Sequence, residues 1–444
     1  MDSLRKCLIL AAGRGSRLGY SAAPKPLFPL LGVPLIERAI LTASRAGIDD
    51  FTVVTGYEGD RVQHFLDRLA ARRALQITHV MNEDWEASNG LSVLKARAEL
   101  KEGPFVLLMA DHLVEPRLLV GLQSEPLEAG SVRLAVDRDL HNPLVDLEDV
   151  TKVQTEDGLL RRIGKGIERY NGFDTGCFLC SPALFSALDE AHAKNGDASL
   201  SDGIQILAQE GKVRTHDIGD AFWIDVDDAH AVKRAEKLFL DRLPKTNDGP
   251  VARYLNRPLS KRLSRHLVRS SITPNQISLF CFGVSALAAG LFAAGGYLWL
   301  ALGAVLAQLA SVVDGCDGEV ARLKLRESSF GGWFDAVLDR YADAILLFGL
   351  TWHAFVARDA SIVFIVGFLA IIGSFMNSYT ADKYDGLMKA RFERRKGIRI
   401  GRDVRVFMIS VGALCNMPLL TLSLIAGLMN LETARRIVVA RSDG

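Results

Sequence analysis

Four aspartates, Asp314, Asp317, Asp335 and Asp339, stand in the part of this chain that is otherwise apolar enough to cross a bilayer. From about residue 275 onward the sequence reads as six apolar spans, at about 275–295, 297–314, 332–356, 361–382, 403–416 and 418–431. A span needs about 20 apolar residues, so the fifth and sixth are short. A carboxylate inside or at the mouth of such a bundle is costly, so it takes a partner and marks a site. Spacings of three (Asp314, Asp317) and four (Asp335, Asp339) put each pair on one face of one helix. Two facing pairs repel unless cations stand between them. Hard divalent cations with oxygen ligands meet that need, Mg²⁺ with a phosphate substrate being the commonest use.

Loop charges orient the bundle. Lys and Arg cluster before the first span, at Arg322, Lys324 and Arg326, and again from Lys383 to Arg405, whereas the other loops carry little beyond Arg358. The positive-inside rule then predicts both ends on the cytoplasmic side, in a multi-pass protein of the cell membrane. The four aspartates fall at the cytoplasmic ends of spans two and three.

The same residues spell D-x2-D-G-x2-A-R-x8-G-x3-D-x3-D, as Asp314, Asp317, Gly318, Ala321, Arg322, Gly331, Asp335 and Asp339. This resembles the CDP-alcohol phosphotransferases, from about residue 253 to the end. The resemblance implies that the four aspartates hold one or two Mg²⁺, that Gly318 and Ala321 leave room for a nucleotide, and that Arg322 holds a phosphate. It also implies that Asp339 is the general base for the acceptor hydroxyl and that the enzyme is a homodimer. Asp343 extends the acidic stripe by one turn, as an outer support or as the partner of a nearby arginine. The basic stretch from Lys389 to Arg405 fits either an acceptor phosphate or simple anchoring by positive charge.

The first half has a different character, with mixed charge and alternating strand and helix patterns. Met1 to Lys6 leads straight into the apolar run Cys7-Leu8-Ile9-Leu10, so no signal peptide is expected. L-I-L-A-A-G-R-G-S-R-L-G places a buried strand before a glycine-rich turn at Gly13 and Gly15 and then a helix. Such a turn offers free N–H groups to a phosphate, and Arg17 and Lys25 (in P-K-P-L) add positive charge.

These motifs resemble the sugar-phosphate nucleotidyltransferases over nearly the whole first half. The resemblance implies a Rossmann-like mixed-sheet α/β domain that joins a nucleoside triphosphate to a phosphorylated substrate and releases pyrophosphate. It makes Leu10, Ala11, Ala12, Gly13, Gly15 and Lys25 nucleotide-binding, and Lys25 and Arg17 catalytic. Asp111, after the strand Phe105–Ala110, and Asp225, in the strand Phe222–Asp227, become metal ligands, although either could cap a helix or turn instead. Asn82 to Val93 resembles the cytidylyltransferases that act on inositol phosphate or phosphocholine. Asn89 and Ser92 would then bond base or sugar, unless Asn89-Gly90 is only a turn before a helix. Lys152 and Lys165 are candidate phosphate ligands or plain surface lysines. Asp174-Thr175-Gly176 stands where the family meets the acceptor sugar phosphate.

Between the halves, residues 228–243 read as a helix, Pro244 and Asn247 to Pro250 as a break, and residues 253–269 as a basic amphipathic helix with Leu255, Leu259, Leu263 and Leu267 on one stripe. Such a helix suits a membrane surface and its lipid phosphates. The organisation expected is a soluble nucleotidyltransferase domain at 1–243, a linker and juxtamembrane helix at 244–273, and an all-α, six-helix transmembrane domain at 274–444. The net charge of +1 gives no reason to expect nucleic acid as a partner. Cys177 and Cys180 form one C-x-x-C on a strand, where they point to opposite faces, so buried thiols of a reducing compartment are expected.

The two halves together resemble bifunctional enzymes in which a cytidylyltransferase is fused to a CDP-alcohol phosphotransferase. That resemblance implies CTP plus inositol 1-phosphate giving CDP-inositol, with Mg²⁺, or Mn²⁺, at both sites. A second inositol 1-phosphate then receives the phosphoinositol group, CMP leaves, and a phosphorylated di-myo-inositol phosphate results. The alternatives are a choline- or glycerol-type CDP-alcohol passed to a lipid or polyol, and a nucleotide-sensing first domain without catalysis. Lys25, Asp111 and Asp225 together argue against the last.

Overall fold

The computed structural model describes residues 5–18, 23–243, 249–388 and 401–442, and these form two compact units, Met1–Leu238 and Phe239–Gly444. In the first, a nine-stranded sheet runs in the order Gln76–Met81, Asp50–Thr55, Lys6–Ala11, Phe105–Met109, Gly172–Cys180, Val132–Asp137, Val213–Asp217, Leu159–Gly164 and Lys152–Glu156. The first four strands are mutually parallel, and Gly172–Cys180 pairs antiparallel with Phe105–Met109 and Val132–Asp137. Lys6–Ala11 is apolar along nearly its whole length because both its faces are covered. Leu8, Leu10, Phe105 and Leu107 join one core, and Cys7, Ile9, Val106 and Leu108 join the other. Cys180 lies in the first core and Cys177 in the second, both as free buried thiols.

Chain direction creates the crevice. After Lys6–Ala11 the chain builds Asp50–Thr55 and Gln76–Met81 on one side, then returns to Phe105–Met109 on the other. The loops leaving Lys6–Ala11 and Phe105–Met109 therefore diverge, which is where open α/β sheets bind ligands. The strand expected over Phe222–Asp227 is shorter, Trp223–Asp225, because its partner strand, His112–Val114, has three residues. After the glycine turn, where a helix is expected, the described residues form two short 3-10 turns, Ser16–Leu18 and Lys25–Leu27, and residues 19–22 lie outside the described residues.

The second unit is helical. Its main helices are Pro274–Ala293, Tyr297–Leu323, Ser329–Arg358, Ile362–Met388, Arg402–Leu414 and Pro418–Ser442. Thr273 opens the first through a capping box with Gln276, ahead of Pro274. Among the described residues, three helices are long and apolar enough to cross a membrane: Pro274–Ala293, Tyr297–Leu323 and Ile362 to Ala381. Tyr297–Leu323 passes well beyond the apolar span that ends at 314, as the shared helix of Asp314 and Asp317 requires, and the polar residues of its last turns find partners inside the unit. Glu319, fully buried, accepts from Arg257, Ser260 and Ser264, each at 2.7 Å. Those three belong to the helix Arg257–Leu267, preceded by a π-turn at Ala252–Asn256, and this helix leaves Leu259 and Leu263 exposed. Helices pack closely where side chains are absent: a Cβ on Gly349 would lie 2.5 Å from the Ala289 carbonyl. Residues 389–400 of the basic stretch lie outside the described residues.

Candidate active sites

In the first unit the glycine turn is shaped around a lysine. Gly15 has φ +69°, and a Cβ there would collide with the Lys25 side chain, so only glycine fits. The Lys25 ammonium pairs with both Asp111 and Asp227. Burial alone would lower its pKa, but Asp111, Asp225 and Asp227 outweigh it and hold the pKa well above the usual lysine range. Burial would likewise raise Asp111, yet Lys25 and His112 hold it well below the usual carboxylate range. His112 Nδ1 lies 3.0 Å from Asp111 and 3.8 Å from Asp225. Burial opposes its charge, but Asp225 and Asp111 bring its pKa to about 9. Asp225 is pushed up to about 7, chiefly by burial.

Asp111, His112 and Asp225 offer ligand atoms within 4.8 Å of one another, and the buried Asp225 Oδ1 has no hydrogen-bond partner among the described residues. An unpaired buried carboxylate oxygen is expensive, and a cation beside it would remove the cost. The cluster therefore fits a divalent metal, with His112 orienting Asp111. It opens on a cavity of about 300 Å³ that Arg17, Asn89, Asp149, Lys165, Asp174 and Asp227 also line.

Arg17 and Lys165 meet at one carboxylate: Asp149 accepts from Arg17 at 2.6 Å and pairs with Lys165. Arg17 also reaches Asp227 at 2.8 Å. Asp174 accepts the Gly176 N–H at 2.8 Å, and burial raises its pKa to about 6. Leu10 and Ala11 are buried where the strand ends, and the Ala12 carbonyl accepts the Tyr57 N–H. Three residues have structural partners. Asn89 Oδ1 accepts the Leu200 N–H at 2.8 Å, although Asn89 lines the cavity. Ser92 is buried and accepts from Asn82 at 2.9 Å, away from that lining. Lys152 sits 5.3 Å over the Tyr170 ring, also outside it. Sequence reasoning missed His112, Asp149 and Asp227. His112 and Asp227 stood within two residues of named aspartates, but Asp149 meets Arg17 across 132 residues and left no local signal.

In the helical unit, Tyr297–Leu323 carries Asp314 and Asp317, and Ser329–Arg358 carries Asp335, Asp339 and Asp343. Asp314, Asp335 and Asp339 offer oxygens within 4.8 Å of one another, and the buried Asp335 Oδ1 has no hydrogen-bond partner among the described residues. This all-oxygen set fits a hard divalent cation. Asp317 accepts from the Ser278 hydroxyl at 2.6 Å. Arg402, singled out in the sequence only as part of the basic stretch Lys389 to Arg405, lies 2.7 Å from Asp314 and 2.9 Å from Asp339. Asp343 pairs with Arg402 at 3.2 Å and Arg405 at 2.7 Å. Arg322 donates to the Leu243 carbonyl at 3.2 Å, and a Cβ on Gly318 would meet only Arg322, at 3.4 Å.

Residues 7–203 match the MobA-like NTP transferase domain family, and residues 271–434 match the CDP-alcohol phosphatidyltransferase family. A relative from Rubrobacter xylanophilus, described as a bifunctional IPC transferase and DIPP synthase, is 36% identical over 98% of this chain and 96% of its own. One of the same description from Aquifex aeolicus is 33% identical over 91% and 90%. The solved inositol-1-phosphate CTP transferase from T. maritima is 26% identical, covers 53% of this chain and 95% of its own, and has a TM-score of 0.48.

Proposed function

This chain belongs to the family of bifunctional IPC transferases and DIPP synthases, and on that premise we propose how its two units divide the work. The first makes CDP-inositol from CTP and inositol 1-phosphate. Lys25, Arg17 and the N–H groups of the Gly13–Gly15 turn hold the triphosphate. Lys165, beside Asp149, holds the phosphate of inositol 1-phosphate. One of its oxygens attacks the α-phosphorus of CTP, the bond to the β-phosphate breaks, and pyrophosphate leaves. Asp111 and Asp225 would hold Mg²⁺ or Mn²⁺, which when bound neutralises phosphate charge.

The second unit transfers phosphoinositol to a second inositol 1-phosphate. Asp339 takes the proton of the acceptor hydroxyl, whose oxygen bonds to the phosphorus bearing inositol. The bond to CMP breaks, and CMP leaves with the electron pair. Asp314, Asp317, Asp335 and Asp339 are the carboxylates that would hold the divalent cation. We read the helices as six spans of a multi-pass cell-membrane protein, with the aspartates at their cytoplasmic ends and a homodimer as the assembly. Leu259 and Leu263, exposed on a basic helix, support contact with lipid.

The observation that carries the reading is the pair of acidic clusters, each with a buried carboxylate oxygen that lacks a hydrogen-bond partner among the described residues, one in each unit. The test is a substrate panel on the detergent-purified chain with CTP and Mg²⁺. Inositol 1-phosphate, phosphocholine and glycerol 3-phosphate are each supplied alone, and pyrophosphate and CMP are followed separately. Inositol 1-phosphate should yield both products. Pyrophosphate release with either of the others, and none with inositol 1-phosphate, would remove the inositol assignment.

A further inference from the structure

Asp343 lies one helical turn beyond Asp339 and outside both signature pairs, and it is 3% exposed. Its Oδ2 accepts from Arg405 Nη2 at 2.7 Å, with the Ser374 hydroxyl at 3.4 Å, and its Oδ1 accepts from Arg402 Nε at 3.2 Å. Arg405, 2% exposed, also reaches the Ser378 hydroxyl at 3.0 Å and has the makings of a fixed structural partner. Arg402 is divided: its Nε edge faces Asp343, while Nη1 lies 2.7 Å from Asp314 and 2.9 Å from Asp339. A guanidinium is planar, with donors in fixed directions, so whatever grips the Nε edge decides where Nη1 can go.

We propose that Asp343 is a positioning residue that holds Arg402 by its Nε edge and so limits that cation's competition with a divalent ion for Asp314 and Asp339. The proposal rests on reading Asp314, Asp335 and Asp339 as metal ligands. A cation seated on two of those carboxylates opposes the entry of a second one. A third carboxylate on the far edge takes a share of the charge and keeps the side chain tethered when it yields, leaving Nη1 at the site's edge to meet phosphate oxygens. Without Asp343, Arg402 keeps its ion pairs with Asp314 and Asp339 among the described residues and gives them up less readily. Loss of an outer partner of a metal ligand costs roughly 10–100-fold in metal affinity, and loss of the tether on a competing cation is expected to count for about as much.

The test is Mn²⁺ binding by the full detergent-purified chain, followed by its paramagnetic resonance signal. Asp225→Ala is included throughout so that the first unit's cluster does not contribute. Asp343→Asn should bind Mn²⁺ about ten- to a hundredfold more weakly than its parent. Adding Arg402→Gln to Asp343→Asn should restore most of that affinity, because the competing cation is gone; a purely structural role for Asp343 would show no such rescue. Arg402→Gln alone, which keeps the Asp343–Arg405 pair, should bind Mn²⁺ more tightly than the parent, and this arm stands even if Asp343→Asn fails to fold. Unchanged affinity in Asp343→Asn, no rescue in the double variant, or weaker binding in Arg402→Gln would each overturn the proposal. If the parent itself binds no Mn²⁺, the metal reading falls and this proposal with it.

Discussion

The Lys25 ammonium donates to the Asp111 carboxylate, 86 residues away along the chain. It also donates to Asp227, so one lysine ties the glycine turn to both carboxylate-bearing segments of the crevice. The phosphate-binding side and the metal-binding side of this site are thereby set against each other by a single side chain.

Lys25→Ala should therefore reduce pyrophosphate release by at least about a hundredfold, since it removes a preorganised cation at the point of charge development. CMP release from supplied CDP-inositol should persist. Following the two products in separate assays checks this, and equal loss of both would argue that the units do not act independently.

Asp339→Asn should do the reverse. Losing a general base costs about 10²–10⁴-fold, so CMP release should nearly vanish while pyrophosphate release continues. Full CMP release by this variant would remove Asp339 from that role.

Gly15→Ala should weaken CTP use without removing a charged group. A side chain in the left-handed region costs roughly 1–2 kcal/mol, and here its Cβ also displaces Lys25. The expected outcome is a raised KM for CTP and a melting temperature lower by a few degrees. An unchanged KM would mean that the turn does not set the position of Lys25.

Glu319→Ala should loosen the Arg257–Leu267 helix from Tyr297–Leu323. Removing one member of a buried ion pair costs about 3–5 kcal/mol, and Ser260 and Ser264 lose the same acceptor. Thermal melting of the purified chain reads the loss. A melt like that of the parent would show the helix to be held by its apolar contacts instead.

Legibility followed distance along the chain. The strand at Lys6–Ala11, the capped start at Pro274, and the facing of Asp314 with Asp317 and of Asp335 with Asp339 all rest on neighbours within a few residues. Period-2 alternation correctly divided Cys177 from Cys180. The ends of elements were less legible. Tyr297–Leu323 outruns its apolar stretch because Glu319 finds three donors, and Trp223–Asp225 stops short because its partner strand is only three residues long.

The sequence by itself determined the chemistry on offer: which carboxylates share a helix face, which glycines precede a lysine, and where a signature repeats a family's spacing. Those follow from helix and strand periodicity, which is local. Only the tertiary structure decided the partners. Asp227 reaches Lys25 across 202 residues and Arg402 reaches Asp314 across 88. His112 was adjacent to a named aspartate, yet its approach to Asp225 depends on the pairing of two distant strands. Such contacts are set by how sheets and helices pack, and a buried charge accepts whichever counter-charge that packing brings within reach.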